Sequence, residues 1–531
     1  VGTGVAGGAA ALAATRAGAE VILLDKAEHP GGTTASSGGG MWIPNNSFLQ
    51  ARGVHDDRDT CIRYMARSAY PALYKAGHPT LGLPANRLAL IESFFDHAAG
   101  VIDEIMADGV LDFEPYHFPD YYSDLPEAVS WGHSVTPRLP ADWKRGDPGG
   151  GELLASSLRT AAESRGARTR LDSRVVDLVT NADDEVVGVL VHHRRTTELI
   201  GARRGVVFGS GGFLHDPGLA REWLRGPVFG GAAAATSTGD FVGIAARAGA
   251  QLGNMTQAWW DQVVLEQALR KPQTSRDIFN VYGDAMIVVN RHGLRIMNEK
   301  APYTDRGQAH FHWDGGRHEF PNRVTFMIFD DRVRSGDNRH LPGIHGSRMA
   351  RFPVPFPGEQ PDYLISGDTW DELACAISDR LGALAPELGE VRLSEEFVPA
   401  LTATVARFND HAEAGHDPDF QRGRTLIEQA WAAPEGASAA DTMAPFAPTG
   451  PYHCVILGAG AIDTKGGPVT DGRGRVLAAS GEPIPGLFGA GNCVASPSGQ
   501  AYWGPGTTIG LGITFGYLAG RAAAGEAPRK P

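Results

Sequence analysis

Val1-Gly2-Thr3-Gly4-Val5-Ala6-Gly7-Gly8 opens the chain, and the reading of this octet decides the fold. Gly2, Gly4 and Gly7 give the pattern G-x-G-x-x-G, which is weak evidence alone. Its surroundings strengthen it. An Ala-rich stretch, Ala9 to Ala17, predicts a helix directly after the glycines, and Val21-Ile22-Leu23-Leu24 predicts a buried strand. That strand ends at Asp25, eighteen positions after Gly7. Glycine turn, helix, strand and terminal carboxylate in this order form a dinucleotide-binding unit. The glycines let the backbone approach a pyrophosphate, whose charge sits at the helix N-terminus. Asp25 is placed to accept hydrogen bonds from the adenosine ribose. Val1 stands where a first strand should end, and no initiator Met precedes it, so a few residues of that strand are expected before Val1 in the natural chain.

Outward from this unit, Gly31 to Gly40 (GGTTASSGGG) is a second loop of glycine, serine and threonine. Gly32, Thr33, Thr34, Ser37, Gly38 and Gly39 offer backbone N–H groups and hydroxyls that can follow a long cofactor toward its flavin end, which favours FAD over NAD. Arg174 to Val191 predicts a β-ribbon turning at Asp183-Asp184. Gly205 to Phe208 leads into Gly209-Ser210-Gly211-Gly212-Phe213, a strand running into a tight turn. Near the C-terminus Gly486 to Asn492 (GLFGAGN) repeats that pattern, ahead of a helix predicted over Thr508 to Ala524. Cofactor elements at both ends imply one discontinuous domain, residues 1–272 and 446–531, with residues 273–445 inserted as an α+β catalytic domain. The expected fold class is therefore α/β, a Rossmann-like FAD-binding domain carrying an inserted substrate domain. Within the insertion, Asp368 to Leu373 reads as a capped helix start and Pro399 to His411 as a helix.

Composition narrows the function. A chain of 531 residues exceeds one compact core. Sixty-one acidic against 48 basic residues leave a net charge of −13 with no long basic run, which argues against a nucleic-acid partner. Cys61, Cys375, Cys454 and Cys493 are far apart and form no metal or disulfide spacing, as in a cytoplasmic protein with reduced thiols. No signal peptide is visible and no run of 18 apolar residues could span a bilayer. Arg348, Arg351 and the run Phe352 to Pro357 leave peripheral membrane contact open. His310 and His312 lack a third ligand and read as surface histidines, so no metal site is expected. Trp259-Trp260 reads as core or pocket wall.

The order GxGxxG, Asp25, GGTTASSGGG, GSGGF and GLFGAGN resembles the fumarate reductase/succinate dehydrogenase type of FAD flavoprotein. Within that family the chain resembles the 3-ketosteroid Δ1-dehydrogenases. The stretches carrying this narrower likeness are GGTTASSGGGMWIPNN (31–46), DYYSDLP (120–126), NEKAPY (298–303) and AYWGPGTTIG (501–510), supported by RFNDHAEAGHDPDFQRG (407–423). The resemblance implies cofactor contacts at Lys26, Val175, Gly211, Gly212, Gly491, Asn492, Thr508 and Ile509. It implies active-site roles for Tyr121, Tyr303 and Tyr502, with Gly506 as a backbone donor. Tyr122 competes with Tyr121, which is preferred because it follows Asp120 directly. Trp503 stands where the family commonly has proline, and this exchange beside Tyr502 implies tolerance of bulky C17 side chains, as for cholest-4-en-3-one.

The implied chemistry explains the residue types. Desaturation of a 3-ketone at C1–C2 removes the C2 hydrogen as a proton and the C1 hydrogen as hydride to flavin N5. Tyr303 is the expected base, its anion supported by Tyr121. Tyr502 and the Gly506 N–H, which lies at a positive helix end, would bind the developing enolate oxygen. Residues Ser496 to Gly510 contain no Arg, Lys or His to hold a dicarboxylate, and no His stands in the Gly31–Gly40 loop to attach the flavin, so FAD is expected to be noncovalent. The electron acceptor is open, a quinone among the candidates. Desaturation at C4–C5, enoate reduction of the fumarate reductase kind and noncatalytic electron transfer are the alternatives.

Overall fold

The structure is a computed structural model. It describes residues 1–129, 131–144, 146–274, 278–335, 351–432 and 436–530. The chain forms two compact units, one of residues 1–224, 233–259 and 463–531, the other of residues 225–232 and 260–462.

In the first unit, helix α1 (Val5–Arg16) begins at Val5, four residues before the predicted start, after the N-cap Gly4, and no side chain caps it. It leads to strand β1 (Ile22–Leu24). Val1 and Gly2 lie inside a ladder: Gly2 N donates to Leu24 O, and Gly209 N donates to Val1 O. Strands β2 (Met41–Trp42), β3 (Phe113–Pro115) and β4 (Ser134–Pro137) form a small sheet with β4 central. Helix α2 (Arg58–Ala69) lies between β2 and β3 in sequence, and Asp57 caps it. Strand β5 (Arg168–Arg170) pairs in parallel with β1.

The predicted ribbon is the hairpin of β6 (Ser173–Thr180) and β7 (Val186–His193), extended by an unpredicted third strand, β8 (Thr196–Gly201). Strand β9 (Val206–Phe208) pairs in parallel with β10 (Pro483–Gly489), which brings the C-terminal glycine turn beside the Gly209–Gly212 turn. The final helix, α3 (Thr507–Gly525), crosses α1 at close range. A Cβ on Gly516 would lie 2.3 Å from Ala6 O, and one on Gly520 would lie 2.1 Å from Ala10 O. The two backbones meet there because neither glycine has a side chain.

The second unit is built on a five-stranded sheet. The strands Ala258–Val264, Tyr452–Thr464, Val324–Asp330 and Met286–Val289 are neighbours in that order, with Ile365–Gly367 also on Tyr452–Thr464. Val324–Asp330 is buried at every position because both faces are covered. Phe326 and Ile328 pack with Leu373, Ile377, Phe397 and Leu401, while Met327 and Phe329 pack with Ile278, Val281 and Val333. The two predicted helices are Trp370–Leu388, capped by Thr369, and Phe397–Ala414. His310 is buried, not at the surface as expected. Its Nδ1 faces Asn322 O at 2.8 Å and its Nε2 faces the Gln262 amide at 3.0 Å. His312 is exposed as expected. Arg351 is also buried, its guanidinium 4.5 Å from the Phe356 ring centroid and donating to Arg334 O. Arg348 lies outside the described residues. No helix among the described residues is long and apolar enough to cross a membrane.

Candidate active site

Of the expected cofactor residues, the Gly2–Gly7 turn and the Gly31–Gly40 loop come together at the start of α1, and Gly491, Asn492 and Thr508 share a pocket at the start of α3. The Gly2–Gly7 turn and the Gly31–Gly40 loop are tied together: Gly31 N donates to Thr3 Oγ1, and Val5 N to Thr34 Oγ1. Asp25 sits at the end of β1, where its Oδ2 accepts from the N and hydroxyl of Thr3. Thr33 Oγ1 accepts from Ala234 N, and Ser37 Oγ donates to Thr34 O while accepting from Gly39 N. The side chain of Lys26 is engaged away from this path, with Asp240 at 2.8 Å and Thr238 at 2.6 Å. Val175 lies in the ladder of the β6–β7 hairpin with its side chain in the core.

The glycine turns of β9 and β10 meet at Asp463, which the sequence reading missed. Its carboxylate accepts from Gly212 N at 2.9 Å and from Asn492 Nδ2 at 3.2 Å, and burial raises its pKa. Gly211, beside Gly212, turns there with φ +76°. Asn492 Oδ1 accepts from Trp259 Nε1 at 2.9 Å. Gly491, Asn492, Trp259, Ser496 and Thr508 line one pocket. No sequence signal pointed to Asp463, because its importance comes from three distant segments converging on one carboxylate.

These features fit FAD. Gly4 caps α1 and Gly506 caps α3, neither bringing a side-chain oxygen to its helix end; Thr34 Oγ1 accepts from Val5 N, and both positive ends suit anionic groups. The buried Thr508 Oγ1 on the first turn of α3, next to Ile509, has no hydrogen-bond partner among the described residues. A Cβ built on Gly32 or Gly38 would meet nothing within 4 Å, which leaves open space along the loop.

Around the N-terminus of α3 the chain builds an aromatic wall. The rings of Tyr121 and Tyr502 stack at 5.5 Å with an interplanar angle of 29°, and Trp259 meets Tyr502 edge-on at 5.0 Å. Tyr121 N donates to Trp503 O at 3.1 Å, and the Tyr64 hydroxyl of α2 donates to the same carbonyl at 2.7 Å. Tyr122 lies differently: its hydroxyl accepts from Tyr502 N. The small sheet braces this wall. Ser134 Oγ donates to Pro505 O, and Gly506 packs against Gly40, the residue before β2. Lys465, also missed from sequence, is fully buried, donates to Ala501 O at 2.9 Å and lies over Trp259.

Trp503 corrects an expectation. Its side chain is 0% exposed, packs at 5.5 Å from Trp42 and 5.7 Å from Phe94, and donates from Nε1 to Met65 O. It is core, so the argument from Trp503 to bulky C17 side chains loses its basis.

Tyr303 belongs to the second unit, where it opens the short helix Tyr303–Gln308. It is 5% exposed, with Phe279 edge-on to its ring at 5.2 Å. The rest of NEKAPY holds it in place. Glu299 pairs with Arg295 at 2.8 Å and Arg422 at 3.3 Å. Lys300 donates to Val281 O, and burial, reinforced by Arg422, pushes its pKa down to about 7. Arg306, on the helix itself, donates to Gln262 and to Ile278 O.

Behind Tyr121 lies a buried charge cluster. His133 Nδ1 faces Asp120 Oδ2 at 2.5 Å and Nε2 faces Asp56 Oδ2 at 2.9 Å. Burial opposes the charge, but Asp120 and Asp56 outweigh it and push the imidazole up to about 10. Asp56, Cys61 and His133 also come within 4.8 Å of one another, a spacing a metal could use. Both imidazole nitrogens already face carboxylates, which makes the cluster an ion pair rather than a ligand set.

The FAD-binding domain family matches residues 1–509. The 4-oxocyclohexanecarboxylate 2-dehydrogenase of Sinomonas cyclohexanicum is 31% identical, the match covering 99% of this chain and 92% of the relative. The 3-oxosteroid 1-dehydrogenase of Mycobacterium tuberculosis is 30% identical over 100% of this chain and 98% of its own length. The 3-ketosteroid Δ1-dehydrogenase of Sterolibacterium denitrificans, solved with 1,4-androstadiene-3,17-dione, superposes with a TM-score of 0.80 at 25% identity, covering 98% of both chains. The chain therefore belongs to the FAD-binding flavoprotein family that includes the 3-oxosteroid 1-dehydrogenases, and it is an FAD-dependent oxidoreductase.

Proposed function

We propose that the chain desaturates 3-ketosteroids between C1 and C2, with FAD held noncovalently. The observation that carries this reading is the stacked pair Tyr121–Tyr502 on an aromatic wall beside the Gly506-capped helix, in a chain similar to a protein solved with a 1,4-diene-3-one steroid. Bound FAD supplies the acceptor for the C1 hydride. The chain's own residues handle the ketone and the proton. Tyr502 and the Gly506 N–H donate to O3 and stabilise the charge that develops there. Tyr303 takes the C2 proton. Gly2, Gly4, Gly7 and Asp25 hold the adenosine and pyrophosphate, and the Gly31–Gly40 loop follows the cofactor toward its flavin end, as do Gly491, Asn492, Thr508 and Ile509.

A monocyclic ketone has support from the 31% identical relative. Its ring carboxylate would want a cation, and Ser496 to Gly510 provide none, which favours the steroid. Anaerobic mixing with androst-4-ene-3,17-dione should bleach the flavin and give vinylic C1 and C2 protons in the product. Bleaching by 4-oxocyclohexanecarboxylate or succinate instead, with none by the steroid, would overturn the reading, and loss of protons at C4 and C5 from a saturated steroid would reassign the bond. Acid precipitation should release the yellow colour into solution; colour retained in the pellet would mean a covalent link.

A further inference from the structure

The cluster behind Tyr121 has geometry that a packing residue does not need. Asp120 and His133 are 0% and 1% exposed, and Asp56 is nearly as buried. Both ring nitrogens of His133 face carboxylate oxygens, and only the imidazolium carries an N–H on each. The Asp120 carboxylate is held at both oxygens, Oδ2 by His133 and Oδ1 by Trp42 Nε1 at 2.9 Å. The next residue is Tyr121, whose backbone N–H is bonded to Trp503 O and whose ring stacks on Tyr502. A Cβ on Gly504 would lie 2.4 Å from the Trp42 ring and 3.2 Å from Asp120 Oδ1, so the Tyr502 loop passes close to the Trp42–Asp120 pair. His133 itself immediately precedes β4, whose Ser134 holds the Pro505 carbonyl beside Gly506. The other groups at the cluster are Asn45 N, which donates to Asp56 Oδ2, the Cys61 thiol and, near Asp120, the Tyr64 hydroxyl.

We propose that His133 is a positioning residue for Tyr121: donating from both ring nitrogens, to Asp56 and Asp120, it fixes the Asp120 carboxylate and through it the backbone that holds Tyr121 against Tyr502. The proposal rests on the reading that Tyr121 and Tyr502 face the ketone. Without the cation, two buried carboxylates face one another with nothing between them. The Asp120–Tyr121 turn then shifts, and small displacements of an oriented hydroxyl are costly in rate.

The test is a cycle of His133→Gln, Tyr121→Phe and the double variant, each purified with FAD and mixed anaerobically with androst-4-ene-3,17-dione. FAD content should match wild type in all three. His133→Gln should slow flavin bleaching by on the order of 10²-fold. In the Tyr121→Phe background the same change should cost little more, because His133 acts through Tyr121. An equal loss in both backgrounds, or none in the wild-type background, overturns the proposal while leaving Tyr121 in place. A wild-type rate for Tyr121→Phe alone instead overturns the reading of Tyr121. A low-field imidazolium N–H proton signal should persist to pH 9 in the wild type and be missing in His133→Gln; its loss by pH 7 in the wild type counts against the doubly donating ring. If His133→Gln does not fold, Asp120→Asn keeps the shape, removes the charge that His133 holds, and takes its place in the cycle under the same criteria.

Discussion

At the scale of single residues, the three tyrosines are separated by their surroundings rather than by their side-chain chemistry. Tyr502 has a neighbour ring, Tyr121, and is followed by the N-terminus of α3, whose positive end suits an anionic oxygen. Tyr303 sits on a short helix pinned by buried charged groups at Glu299, Lys300 and Arg306. Phenylalanine at either position keeps the ring and its packing, so FAD content should survive both changes. Tyr303→Phe should slow the reaction by roughly 10² to 10⁴, the usual worth of a general base. Tyr502→Phe should cost roughly 10² to 10³ in kcat as one of two oxyanion donors is lost. Rates overlap, so exchange of the C2 hydrogen into deuterated water assigns the roles. With the flavin held reduced, Tyr303→Phe should lose exchange, and Tyr502→Phe should retain slow exchange through the Gly506 N–H. Wild-type exchange in Tyr303→Phe would move the base to Tyr121 or Tyr122.

At the scale of elements, the start of α3 ties sequence closely to geometry. Gly506 has φ +90°, and a Cβ there would lie 2.2 Å from Gly40 O. Gly506→Ala therefore strains its own backbone by about 1–3 kcal/mol and pushes the flavin-end loop away from the helix. Lower FAD occupancy and a lower melting temperature are expected together. Gly38→Ala is the contrasting case. Its Cβ meets nothing within 4 Å among the described residues, so stability without cofactor should stay within about 0.5 kcal/mol of wild type. If FAD passes along this loop, the methyl intrudes on it, and titration of the apoprotein should show weakened binding. Unchanged FAD affinity in Gly38→Ala would remove Gly38 from the cofactor path.

At the scale of the whole molecule, two buried histidines give stability opposite dependences on pH. Burial pushes His310 down to about 4, below its unfolded value of 6.5, so the unfolded chain binds the extra proton first. Its contribution is present above pH 6.5 and is lost as pH falls toward 4. His133 is raised to about 10, so its contribution is full below pH 6.5 and is lost as pH rises toward 10. At about 1.4 kcal/mol per pKa unit, each limb is worth a few kcal/mol. Denaturation midpoints should fall below pH 6.5; above it Lys300, pushed down to about 7, works in the opposite sense to His133, so the His133 limb is read as the difference between wild type and His133→Gln. His133→Gln should change only the alkaline limb and His310→Gln only the acid limb. An alkaline limb of wild-type slope in His133→Gln would refute the assignment for that residue.

How much of this was legible in sequence follows from the range of the interactions. The glycine turn, α1, β1 and the β6–β7 hairpin depend on neighbours a few positions apart, so periodicity and turn residues announced them. The DYYSDLP, NEKAPY and AYWGPGTTIG stretches were visible as motifs, and they placed three tyrosines and Gly506 by resemblance. Position along the chain could not say that Trp503 points into the core, since Met65, Phe94 and Trp42 come from other segments. It could not find Asp463, whose carboxylate earns its place from Gly212 and Asn492. Nor could it tell His310 and His133, each buried with partners from distant segments, from surface histidines. Local sequence thus determined the cofactor fold and the stretches that matter. Tertiary structure decided which way side chains face and which charges are compensated, because burial and ion pairing are set by segments that meet only when the chain folds.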